Sequence, residues 1–231
     1  MIHARRTATT FILWSVLTIS TGMAQPKWTF HIGSGFYQPS LGYLDPDSNS
    51  VIPSLSAFGK NILIDWGVKY QFYPNARVGY SRSNSYHTGK IGDSDYLRTI
   101  SYRMLTFETF FYPREKIELN FMMAPMYNKG IIKLTAQSSS ADWDTILNSY
   151  GNAGAATLTT GGEMIKRWFG LTSMIGFRYY MFPWFAIDGK AGFIRNAYSE
   201  KNWKLEKEKV AGPTMNIEKL PVFNIHFVFG W

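Results

Sequence analysis

The sequence predicts an all-β chain, folded as an eight-stranded antiparallel up-and-down transmembrane β-barrel with short turns at one end and long loops at the other. Three observations predict it. Phe223, Ile225, Phe227, Phe229 and Trp231 share one parity while Asn224, His226, Val228 and Gly230 share the other, the alternation of a strand with one greasy face. Aromatic runs stop at Pro74, Pro113 and Pro183, and each is followed at once by another alternating run. Within these runs the bulky parity is nearly free of charge, and the ionisable residues fall on the other.

At 231 residues the chain suits one domain with large loops. Aromatic and charged residues each make up 17%, too apolar for disorder and too polar for a bundle of membrane helices. There is no cysteine, so disulfides, a thiolate nucleophile and a Cys-ligated zinc site are excluded. The net charge of +8 is spread over expected loops beside Asp and Glu instead of clustering on one face, which argues against a nucleic-acid partner.

Taken in order, residues 1–24 read as a signal peptide. Arg5 and Arg6 precede the apolar run Phe11–Met23, and Gly22 and Ala24 offer the small residues of a cleavage site. The run is too short to span a bilayer. The barrel domain then occupies 25–231. Its expected strands are Trp28–Tyr37, Asn61–Tyr73, Ala76–Ser83, Ile100–Tyr112, Lys116–Tyr127, Trp168–Phe182, Trp184–Arg195 and Pro221–Trp231. Proline cannot donate in a central ladder, so the three prolines mark strand ends with tight turns and antiparallel pairing. The opposite connections, about 38–60, 84–99, 128–167 and 196–220, are expected to be long loops. Short periplasmic turns and long extracellular loops with an even strand count are the membrane-barrel arrangement.

The alternative is a soluble lipocalin-type barrel with its faces inverted. Charge placement decides. Ile62, Ile64, Trp66, Val68, Tyr70 and Phe72 oppose Asp65, Lys69 and Gln71; Phe169, Leu171, Ile175, Phe177, Tyr179 and Met181 oppose Thr172, Gly176 and Arg178. The polar rows are too small and sparse for a solvated exterior and suit the crowded inside of eight strands. Arg82 and Arg103 are exceptions on the outward parity, placed near the outer rim.

A charged layer is expected in the lumen. Lys69, Glu108 and Arg178 lie five residues before their turn prolines, and Glu118 and Asp188 five after. Lys190, Arg77, His31 and His226 can join from adjacent inward positions. Buried charges must pair, so this layer reads as an internal salt-bridge network that plugs the barrel.

Function would live in the loops. Asp45, Asp47 and Asn49 do not form a calcium loop, because Pro46 interrupts them and the glycine and distal glutamate are missing. Ser139 to Tyr150 suggests a short amphipathic helix through Trp143, Ile146 and Leu147. Glu200–Lys209 alternates charge with Trp203 and Leu205 and is expected to extend strands seven and eight past the membrane.

The alternation, the turns and the terminal aromatic of Pro221–Trp231 resemble the family of small outer-membrane β-barrels similar to outer membrane proteins A, W and X. The resemblance implies export to the bacterial outer membrane and contact with membrane lipid and lipopolysaccharide. It also implies recognition of the last strand by the outer-membrane assembly machinery, and a monomer. The function it implies is structural, or binding and transport of small, apolar molecules through the loops. Alternatives within the same architecture are a lipid A-modifying enzyme and an accessory barrel of a secretion or assembly complex. Such deacylases carry a His-x-Ser pair, whereas the comparable segment here is Arg195-Asn196-Ala197-Tyr198-Ser199. No catalytic set, cofactor or metal ligand is assigned from the sequence, and no ligand-binding residue is identified.

Overall fold

The computed structural model describes residues 26–37, 40–41, 62–91, 94–134, 147–148, 162–205 and 208–230. Eight long strands form the wall: β1 (Trp28–Phe36), β2 (Ile62–Tyr73), β3 (Ala76–Ile91), β4 (Ser94–Arg114), β5 (Ile117–Leu134), β6 (Glu163–Phe182), β7 (Phe185–Asn196) and β8 (Lys219–Gly230). Each pairs antiparallel with its neighbours in the chain, and β8 returns to pair with β1 over Thr29–Phe36. The ring is therefore closed, with no free edge in its wall.

Register fixes the size of the ring. Stepping across the ladder from Glu118 leads through Arg178, Asp188, His226, Gly33, Asp65, Ser83 and Tyr102 back to β5 at Asn128, ten residues above the start. Such a stagger over eight strands tilts them by about 40° and leaves an interior that side chains fill. Every residue on that lap faces inward, so parity and register together place the lumen residues.

The turns differ in detail from the sequence expectation. Pro74-Asn75 and Pro183-Trp184 are two-residue turns, but β4 runs through Pro113 and turns at Glu115-Lys116. A register irregularity precedes each turn, at Gln71/Tyr73, Phe111/Arg114 and Tyr180/Phe182. Pro113 occupies its irregular stretch, and Pro74 and Pro183 open their turns, so in each case the missing N–H costs no ladder bond.

Above the band, β3 to β6 are longer than expected, and this is the main correction. The segment 84–99 is a continuing hairpin, paired through to Ile91↔Ser94, and not a long loop. The outward row becomes mixed there, with Asn84 and Thr88 on either side of Tyr86, so apolar alternation fades while pairing continues. Trp203–Leu205 is likewise no extension of β7. It pairs with β6 through Met164↔Leu205 and forms a hairpin with Glu208–Val210, turning Trp203 and Leu205 into the core. Residues 1–24, Asp45–Ser50 and most of Ser139–Tyr150 lie outside the described residues; of the last, Leu147 and Asn148 are helical and Leu147 is buried.

Candidate functional site

Three layers occupy the inside of the ring. The lowest is ionic. Glu118 on β5 accepts a bidentate fork from Arg77 on β3, Nη1 to Oε1 and Nη2 to Oε2, both at 2.8 Å. The Tyr112 and Tyr180 hydroxyls donate to the same carboxylate at 2.9 and 2.8 Å. Arg178 Nη1 lies 2.9 Å from Glu118 Oε1 but out of line for a hydrogen bond. Its Nε and Nη2 donate to Asp188 Oδ2 at 3.2 and 2.7 Å. Glu108 on β4 takes Lys69 Nζ at 2.5 Å, Lys190 Nζ, and Nη1 of Arg77 at 3.1 Å. All seven ionisable side chains are buried, and Arg77 also lies 3.7 Å over the Phe110 ring. The fold thus brings together Lys69, Glu108, Glu118, Arg178, Asp188 and Lys190 with Arg77, which the sequence offered from an adjacent position, and Glu108 is the carboxylate most of them share.

Beside this layer, at the seam where the ring closes, His31 on β1, Asp65 on β2 and His226 on β8 meet. His31 Nε2 is 2.9 Å and His226 Nε2 3.2 Å from Asp65 Oδ1. The imidazoles stand edge to face, with centroids 5.0 Å apart. Ser83 donates to Asp65 Oδ2, and Ser81 Oγ is 3.4 Å from His31 Nε2. Glycines directly across the ladder clear the space. A Cβ on Gly67 would stand 2.5 Å from the His31 ring, and one on Gly33 would stand 2.5 Å from the His226 ring. Sequence reading had both histidines inward but missed the trio, because its members are far apart in the chain and adjacent only once β8 pairs with β1.

The upper layer is apolar. Met104, Met122, Met126, Met164 and Met174 pack with Ile100, Ile132 and Ile194, and the cap of Trp203, Leu205, Val210 and Ile217 closes over them. One polar knot crosses this layer: Asn196 accepts from Asn128 at 2.7 Å and from Trp168 Nε1 at 2.9 Å, and donates to the Ile217 carbonyl at 2.7 Å. The inward rows were expected to be rich in small and polar residues throughout. That holds near the turns, whereas the upper third is a methionine-rich core of the kind that fills irregular space.

The outside is a band of exposed apolar residues. On β6 the outward row runs from Phe169 through Leu171, Ile175, Phe177 and Tyr179 to Met181, with Phe169 70% and Ile175 68% exposed. At about 3.3 Å per residue and a tilt of about 40°, this row is roughly 25–30 Å tall, the height of a membrane-barrel band. Trp28, Phe72, Trp184 and Phe182 gather at its lower edge near the turns. At its upper part lie directly opposed basic pairs, Arg82 with Arg103, Lys129 with Arg167, and Arg195 with Lys219.

No family model matches the chain, and no curated protein matches it in sequence. Solved structures that it resembles are small outer-membrane β-barrels. A major outer membrane protein from Thermus thermophilus matches with a TM-score of 0.50 at 10% identity, covering 88% of this chain and 99% of that one. Neisserial surface protein A, NspA, matches with a TM-score of 0.49 at 9% identity over 88% and 95%. Ail, the attachment invasion locus protein of Yersinia pestis, matches with a TM-score of 0.47 at 12% identity over 90% and 99%. At these identities the likeness is one of fold.

Proposed function

We propose that this chain is a non-enzymatic bacterial outer-membrane barrel whose work is done by its outer surface and loops, not through its lumen. The observation that carries the reading is the pairing of a sealed interior with a greasy exterior: the ionic layer and the methionine core fill the ring, while the apolar band faces outward. An eight-stranded ring with a filled interior leaves no aqueous path. The ionic layer of Lys69, Arg77, Glu108, Glu118, Arg178, Asp188 and Lys190 is then a structural plug. Residues 1–24 direct export and 25–231 form the barrel, a monomer assembled through its last strand.

The partners of this reading are membrane lipid and lipopolysaccharide. Like charges directly opposed on a sheet repel, and the basic pairs at the upper rim are relieved where phosphate-bearing lipid lies between them. Small apolar ligands would be taken by the loops above the cap. Planar-bilayer recording tests the sealed lumen: the purified barrel should give no stepwise conductance. Discrete channel openings in the wild-type protein would refute it. Spin labels at Val68, Phe121 and Phe227 test the exterior and should be relaxed by oxygen dissolved in hydrocarbon, not by a water-borne nickel reagent.

A further inference from the structure

We propose that the closing seam of the barrel holds a site for one divalent transition metal ion of the zinc class, with Nε2 of His31, Nε2 of His226 and Oδ1 of Asp65 as its ligands. Four observations carry this. The three donor atoms lie within 4.8 Å of one another, and two of the separations are 2.9 and 3.2 Å. A tetrahedral zinc ion with bonds of about 2.0–2.1 Å separates its ligand atoms by about 3.4 Å, so a small rotation of the rings brings the trio to that spacing. All three side chains are more than nine-tenths buried.

The second observation is an orphan. His226 Nε2 is buried without a hydrogen bond, because its approach to Asp65 Oδ1 is out of line. A buried polar nitrogen without a partner is costly, and a metal ion accepts its lone pair. The third is charge. Among the described residues, Glu108, Glu118 and Asp188 each contact a lysine or arginine, whereas the ion-pair contacts of Asp65 are His31 and His226 alone. Two imidazoles and a carboxylate form a donor set that suits zinc, copper or nickel better than magnesium or calcium.

The fourth is the support behind the ligands. The Ser83 hydroxyl holds the other carboxylate oxygen, an outer hydrogen bond of the sort that orients metal ligands. Ser81 Oγ, 3.4 Å from His31 Nε2, is a further oxygen donor beside the trio. The ligands come from three strands joined edge to edge, and Gly33 and Gly67 leave open the space that the two rings occupy. An ion bound here ties the last strand to the first two, so it closes the ring chemically as well as by its ladder.

The test uses the mature chain refolded in detergent micelles with Co2+ present during refolding or added afterwards, since the site is enclosed. Ligand-field absorption reports coordination, and heat-modifiable gel migration reports folding. One Co2+ per barrel should bind saturably and be displaced by Zn2+. The H31A/H226A variant should lose at least about 100-fold in affinity and D65N at least about tenfold, while H87A, another buried histidine, should bind as the wild type does. If H31A/H226A does not fold, H226Q stands in and should weaken Co2+ at least about tenfold. Zn2+ should also raise the unfolding temperature of the wild type and leave that of the histidine variants unchanged. Absence of saturable Co2+ binding in the wild type, or equal binding in the histidine variants, overturns the proposal.

Discussion

Removing Glu118 alone from the ionic layer should destabilise the barrel at least as much as removing it together with Arg77. Glu118→Leu deletes a carboxylate that accepts two bonds from Arg77 and one each from Tyr112 and Tyr180. It leaves Arg77 with Glu108 as its remaining carboxylate, at 3.1 Å, and two phenols facing each other at 3.3 Å. Stranding a buried charge in this way costs about 3–5 kcal/mol. Arg77→Met should cost less, about 2–3 kcal/mol, because Glu118 keeps both phenols and the nearby Arg178. Simple addition then gives about 5–8 kcal/mol for the double variant. Replacing both with apolar side chains of similar size removes the stranded charge and the desolvation of the pair together. The double variant should therefore be no less stable than Glu118→Leu alone, a coupling of about 2–3 kcal/mol. Equilibrium urea unfolding in lipid vesicles, followed by tryptophan fluorescence, measures all four corners of the cycle. A double variant as unstable as the sum of the singles would show that the layer is held by something other than these contacts.

Three further outcomes follow from the geometry. Gly79→Ala places a Cβ 2.2 Å from the Val68 carbonyl oxygen and 2.7 Å from Lys69 Cα, and should cost about 1–3 kcal/mol. Gly189→Ala, whose Cβ meets nothing nearer than 4.0 Å, should be neutral or stabilise by up to about 1 kcal/mol in the same unfolding assay. Trp203→Ala empties a fully buried site within the cap and should cost about 3–5 kcal/mol. It should also expose Tyr198–Met215 to protease while the lower barrel stays intact, because Trp203 Nε1 bonds Tyr198 and the Tyr198 hydroxyl bonds the Pro213 carbonyl.

Much of the wall was legible because lipid imposes parity on it. Rows such as Phe169 to Met181 alternate strictly where hydrocarbon and lumen make opposite demands, so strand count, closure and facing follow from the letters. The charged layer was legible for the same reason, since Lys69, Glu108, Glu118, Arg178 and Asp188 each stand five residues from a turn proline on the inward parity. What lies above the band was not. There Asn84 and Thr88 interrupt the outward row on either side of Tyr86, parity carries a weaker apolar mark, and the strands run on unseen. Trp203 and Leu205 alternate with charges as an edge strand would, and only the Met164↔Leu205 pairing shows which wall they join. The histidine trio required β8 to be set beside β1 in register, which no local pattern in the chain supplies.

Register also explains a distribution of residues that parity leaves arbitrary. Eight strands with a stagger of ten give the lumen a fixed cross-section, so a long inward side chain must be matched by a missing one beside it. The match is made directly across the ladder. His226 faces Gly33, His31 faces Gly67, Lys69 faces Gly79, Asn120 and Lys190 both face Gly176, and Met174 faces Gly192. In each pair a Cβ on the glycine would come within 3.0 Å of the facing residue. The glycines are thus the complement of the ionic layer and of the metal candidate: they set where each large group leans, and hence which groups touch. Alternation decides which residues enter the barrel, while the glycine opposite each one decides what it can reach.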